Sequence, residues 1–264
     1  MDTATLLIVA CGLLVGASLG LTGGGGSIFA VPLLLYGLSV PVGTAMGLSL
    51  ATVGLTAGFG ALLRLRHGEV EWPAGLIFAV AGMLTAPLGT TLGRHLPAAL
   101  LLSTFALLMA YIGARMWRGR GAEDDAPPSR CVARGPGAFG PECYLRLGSG
   151  GAAAGLLSGL FGVGGGFIIV PVLLFVTGMS IHRAVATSLL VIFLISVSGV
   201  IAHMLHGQLF PMPLSLLFIG GGFAGMLLGS TLRSRVHGNT LQRLFAAAMW
   251  LVALWMLVRN LLLP

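Results

Sequence analysis

The sequence predicts an all-α polytopic membrane protein made of two inverted repeats, each a glycine-broken helical hairpin followed by three transmembrane helices. Three observations predict it. The 264-residue chain is 56% hydrophobic and 8% charged, against roughly 25% charged in soluble domains. Its long uncharged stretches therefore read as membrane segments rather than as one soluble core. The chain also says nearly the same thing twice, about 140 residues apart. Its positive charge comes from arginine alone, set between apolar runs, the placement that orients membrane segments. No basic face with interleaved aromatics exists to bind nucleic acid.

The repeat is legible residue by residue. Thr22-Gly23-Gly24-Gly25-Gly26-Ser27-Ile28-Phe29-Ala30-Val31-Pro32 is echoed by Gly162-Val163-Gly164-Gly165-Gly166-Phe167-Ile168-Ile169-Val170-Pro171. His67-Gly68 is echoed by His206-Gly207, and Leu88-Gly89-Thr90-Thr91-Leu92 by Leu228-Gly229-Ser230-Thr231-Leu232. Glycine breaks at the same place in both copies of an apolar chain point to the binding site of a repeat-built transporter.

In order along the chain, the first repeat (1–117) holds apolar segments at 5–21, 27–38, 42–63, 72–92 and 98–117. The start, Met1-Asp2-Thr3, is acidic and lacks the positive region of a signal peptide, so the first segment is expected to stay. The second repeat (145–264) holds segments at 145–161, 166–177, 183–205, 211–232 and 241–262. The second segment of each repeat has only about a dozen residues where a crossing needs about 20. The first two segments of each repeat are therefore read as a hairpin, its broken tip turned to the protein interior. Between the repeats, 118–144 carries Glu123-Asp124-Asp125, Pro127-Pro128 and several arginines, a flexible polar linker. With that linker cytoplasmic and the second repeat inverted, every arginine except Arg94 and Arg259 falls on the cytoplasmic side. Both termini then lie in the periplasm. A parallel repeat would put Arg94, Arg183, Arg233, Arg235 and Arg243 outside together, against the positive-inside rule.

The acids, Asp2, Glu69, Glu71, Glu123, Asp124, Asp125 and Glu142, are terminal, in loops or in the linker. A membrane without carboxylates argues against cation transport and against an embedded hydrolase or metalloprotease. The glycine runs suit the opposite charge. Gly23, Gly24, Gly25 and Gly26 precede one short helix, and Gly164, Gly165 and Gly166 the other. Helix N-termini carry unpaired N–H groups and partial positive charge, and glycine lets an anion approach closely. Two such ends meeting near the midplane make an anion site without any charged side chain. Ser27 can add a hydroxyl and cap its helix.

Pro32 and Pro171 are expected to support and shape those helices. Ser49, Thr187 and Ser188 are the candidate hydroxyl ligands of the third segments. Ser49, Thr52 and Thr56 share one helical face, and these hydroxyls can equally bond between helices. Arg183, His203 and His206 are candidates for gating or proton relay, with loop anchoring as the plainer reading. Gly37, Gly82 and Gly113 read as helix-packing glycines. Cys11, Cys131 and Cys143 match no zinc spacing and read as packing residues. No catalytic residue, cofactor or metal is expected.

These features resemble the sulfite exporter TauE/SafE family of bacterial inner-membrane permeases. The resemblance rests on the paired Gly-rich hairpins followed by Val-Pro, the hydroxyl-bearing third helix and the doubled layout, and covers the chain outside the linker. It implies a substrate class of sulfite, sulfoacetate and other organosulfur anions; the residues themselves imply only an anion-friendly pocket. No Gly-x-x-x-x-Gly-Lys motif is present and lysine is absent, so transport is expected to run on gradients or membrane potential. Carboxylate permeation and membrane-embedded thiol transfer or sulfur relay are the alternatives, and a small anion and the lipid bilayer are the expected partners.

Overall fold

The computed structural model describes residues 3–24, 26–66, 68–118, 141–162, 166–205, 212–233 and 238–262. Among them every element is helical: α1 (Thr3–Thr22), α2 (Gly26–Pro32), a π-helical stretch Leu33–Gly37, α3 (Val42–Leu65), α4 (Trp72–His95), α5 (Ala98–Arg118), α6 (Pro141–Phe161), α7 (Gly166–Thr177), α8 (Ile181–Leu205), α9 (Met212–Arg233) and α10 (Gly238–Leu262). Five windows in α1, α3, α4, α8 and α9 are long and apolar enough to cross a membrane. Large apolar side chains such as Leu84, Leu88, Leu216 and Leu251 stay exposed, as on helices that face lipid.

Helix α6 begins at Pro141, not at 145 as the sequence reading had it. Proline at the first helical position wastes no hydrogen bond and is pre-set in φ, so the helix reaches into the polar stretch. Helix α3 likewise runs past 63 to Leu65.

Small residues set the helix pairing. Gly12, Gly16 and Gly20 of α1 lie on Phe218, Gly222 and Met226 of α9, which makes the two helices parallel. On the other side Gly151, Gly155 and Gly159 of α6 lie on Phe78, Gly82 and Ala86 of α4, again parallel. Glycine stripes bring backbones together where lipid supplies no hydrophobic drive. The duplicated Leu-Gly-x-Thr-Leu belongs to these seams, since Gly89 rests on Leu156 of α6 and Gly229 on Ala17 of α1. Between the seams α3 and α8 cross antiparallel, with Leu50 beside Gly199, Gly54 beside Ser196 and Gly58 beside Phe193. Helix α5 packs against α10. Exchanging the two halves leaves this set of pairings unchanged.

Both hairpins fold back on themselves. Gly26 packs on Val15 and Leu19 of α1, and Val172 of α7 packs on Gly150 of α6. The turns need left-handed backbone at Gly23 (φ +72) and Gly162 (φ +67), where glycine costs no Cβ clash. Each amide closes the helix before it, Gly23 N–H on the Leu19 carbonyl at 2.8 Å and Gly162 N–H on that of Ser158 at 2.9 Å. Helix α7, at 12 residues, reaches about 18 Å, short of the roughly 30 Å hydrocarbon core.

Proline explains two local features. Pro32 has no N–H, and the helix widens into π geometry directly after it, Leu38 N–H reaching the Leu33 carbonyl at 3.1 Å. Pro87 in α4 removes the bond to the carbonyl four residues back. That carbonyl, on Met83, accepts a hydrogen bond from the Ser198 hydroxyl of α8 at 2.8 Å.

Candidate functional site

The two hairpin tips meet. A Cβ on Gly166 would lie 2.9 Å from the Cα of Gly24 and 2.7 Å from Ile192, which stands halfway along α8. The ends of the short helical segments Gly26–Gly37 and Gly166–Thr177 thus lie against each other inside the bundle. Gly23 is seated on Val185 at the start of α8, and Gly162 on Met46 at the start of α3. Gly25, Gly164 and Gly165 lie outside the described residues.

Ser27 is fully buried. It sits one residue inside α2, so it is not the N-cap that the sequence suggested. Its hydroxyl donates to the Gly24 carbonyl at 2.6 Å and so clips the tip to the helix it starts. Ser188 donates to the carbonyls of Gly23 at 3.0 Å and Val185 at 2.9 Å, which ties the first tip to α8. Ser49 holds the matching station on α3, one turn beyond Met46. It is fully buried and its hydroxyl has no hydrogen-bond partner. The two tips are therefore held differently: Ser188 is spent on backbone, and Ser49 is available.

Thr187 faces away from the tips. Its hydroxyl accepts the Glu71 N–H at 3.0 Å, capping the first turn of α4. The Glu71 carboxylate pairs with Arg183 at 2.5 Å at the start of α8. The Arg183 side chain is 59% exposed, so it stands at the rim and not where the tips meet. His203 is buried near the far end of α8, fifteen residues or about 22 Å along the helix from Ser188. His206 and His67 lie outside the described residues. Pro32 ends α2 and Pro171 lies buried within α7.

Thr52 and Ser196, both hydroxyls of the third segments, are buried with no hydrogen-bond partner, and so is Ser158 of α6. Such an orphan costs about 1–3 kcal/mol. Nothing in the sequence signals Ser158, because a lone serine in an apolar run looks like any helix-packing residue. Arg64 is 6% exposed and donates to the Gly20 carbonyl at 2.8 Å. A third segment ending at 63 puts Arg64 in a loop as an orientation signal, whereas α3 runs on to Leu65 and buries it.

Cys11 is a buried free thiol, and Cys143, in the first turn of α6, is disulfide-bonded rather than merely packed. Cys131 lies outside the described residues. Among the described residues no three His, Cys, Asp or Glu side chains gather as metal ligands would. An apolar cleft of about 440 Å³ between α5 and α10 is lined by Ala114, Trp117, Ala247 and Trp250. It lies apart from the tips, and none of the expected site residues lines it.

Known proteins resemble this chain over nearly its full length. The family described as "Sulfite exporter TauE/SafE" matches residues 8–256. A "Probable membrane transporter protein" of Xylella fastidiosa (strain Temecula1) is 35% identical over 97% of this chain and 95% of its own. YdhB of Bacillus subtilis, with the same description, is 30% identical over 76% of this chain and 80% of its own. One from Haemophilus influenzae is 28% identical over 98% of this chain and 100% of its own. No solved structure matches.

Proposed function

We propose that this chain, which belongs to the sulfite exporter TauE/SafE family, exports small sulfur-containing anions such as sulfite or sulfoacetate through a site where its two glycine tips meet. The family and the relatives make it a multi-pass membrane transporter and not an enzyme. The observation that carries the finer reading is the contact of Gly24 with Gly166 halfway along α8. Two helix starts converge there, the buried hydroxyls of Ser27 and Ser188 bond the first tip, Ser49 lies one turn beyond the Met46 on which Gly162 is seated, and the spanning segments hold no carboxylate. Backbone N–H groups and hydroxyls favour an oxyanion and give a cation no ligand.

The helix directions support inverted repeats. Helices α3 and α8 hold the same repeat position and run antiparallel, as an axis in the membrane plane requires. The arginine asymmetry supports a cytoplasmic linker and periplasmic termini in a bacterial inner membrane. In that setting the potential drives an anion outward by about 2.3 kcal/mol per charge per 100 mV, so export needs no coupling ion. A thiol-relay reading loses ground because Cys143 is buried, out of reach of an attacking thiolate.

Counterflow in proteoliposomes tests the reading. Purified protein is expected to exchange radiolabelled sulfite for internal sulfite or sulfoacetate, and not for sodium or choline. Exchange of acetate or succinate with none of sulfite would replace it with carboxylate permeation. No flux of any anion would remove the transport site from the tips altogether.

A further inference from the structure

We propose that Arg64 is a substrate-binding residue, the charged contact that draws the anion to the first glycine tip. The inference rests on the anion-transport reading and adds a group that reading lacks, since the site was expected to hold no charged side chain. The burial of Arg64 is the starting point. An arginine that only orients a membrane segment keeps its guanidinium in water, as Arg66 and Arg94 do by staying exposed. Arg64, two residues before Arg66, is 6% exposed. Ionisable groups buried in membrane segments are costly and belong by default to substrate or ion pathways.

Its position is the second observation. The guanidinium donates to the carbonyl of Gly20, in the last turn of α1, and three residues later Gly23 forms the tip that Ser188 holds. Arg64 therefore stands at the root of the hairpin that carries Gly24 and Ser27. Arg183 is engaged by Glu71 at the exposed rim, which leaves Arg64 as the inner arginine of this mouth. A guanidinium presents five donors in a planar fork that fits the paired oxygens of a sulfite or sulfonate, as it fits a carboxylate.

The repeat supplies the third. The offset that carries Gly23 to Gly162 and Ser49 to Ser188 carries Arg64 to His203. His203 is also buried, at 4% exposure. The same station of the repeat thus holds a buried nitrogen-bearing side chain in both halves.

Arg64→Gln and Arg64→Lys separate charge from support, since both can still donate to the Gly20 carbonyl and only lysine keeps the charge. In sulfite counterflow, Arg64→Gln is expected to raise KM about ten- to hundredfold, the loss of one charge-assisted hydrogen bond, with a much smaller change in maximal rate. Arg64→Lys is expected to hold KM clearly below that of the glutamine variant. Unchanged KM in Arg64→Gln, or equal impairment by lysine and glutamine, would overturn the proposal. If Arg64→Gln yields no folded protein, Arg64→Lys is read alone: sulfite should still raise its Tm, and loss of that rise would also overturn it. Failure of the underlying reading looks different, because the unaltered protein would then show neither flux nor a sulfite-dependent Tm rise.

Discussion

Three serines that look alike in the sequence do different work once placed. Ser27 closes the tip on the Gly24 carbonyl, Ser188 binds that tip to α8, and Ser49 is buried with nothing to bond. Their candidacy was legible, Ser27 from its place after a glycine run and Ser49 and Ser188 from theirs near the starts of the third segments; their division of labour was not, because it depends on which tip packs on which helix. The bond Thr187 makes was hidden for the same reason, since its partner Glu71 is 116 residues away. The account predicts that Ser49→Ala weakens sulfite binding by roughly tenfold in KM, the low end for a hydrogen bond to a charged group. It also predicts no loss of Tm, because removing an unsatisfied hydroxyl leaves no broken bond behind. Ser188→Ala should lower Tm by releasing Gly23. A Tm loss in Ser49→Ala larger than that in Ser188→Ala would reverse the assignment. Ser27→Asp places like charge beside the anion and is expected to abolish flux; undiminished flux would remove the first tip from the site.

Helical elements were legible almost to their ends, because apolar runs, glycine breaks and prolines are local signals. Pairings were not. Nothing in the stretch 5–21 alone says that its partner is α9, yet Gly12, Gly16 and Gly20 are there to meet that helix. Gly82 and Gly113 do face neighbours at close range, on Ile195 and Trp250, whereas Gly37 has only the Cys11 sulfur, at 3.9 Å. Gly16→Leu and Gly155→Leu should therefore fail or fall steeply in Tm, since each side chain would strike the facing backbone and overpacking costs about 1–3 kcal/mol or more. Gly37→Ala should change Tm little. A larger loss in Gly37→Ala than in Gly16→Leu, by thermal unfolding in detergent, would show that the glycine seams do not set the packing.

At the scale of the molecule, the repeat and the arginine asymmetry were legible together, while the meeting of the tips needed the fold. Orientation is tested by labelling. In a cysteine-free background, Glu123→Cys and Arg233→Cys should react only from the cytoplasm and Arg94→Cys only from the periplasm. Labelling of 94 and 233 from one side would contradict the inverted arrangement. The central claim is that the substrate anion binds where the tips meet. Selenite is a heavy analogue of sulfite, and its anomalous signal in crystals of the protein locates it directly. The account predicts a peak in contact with Gly24 and Gly166, beside Ser27 and Ser49. A peak confined to the cleft between Trp117 and Trp250, or to the protein surface, would contradict it.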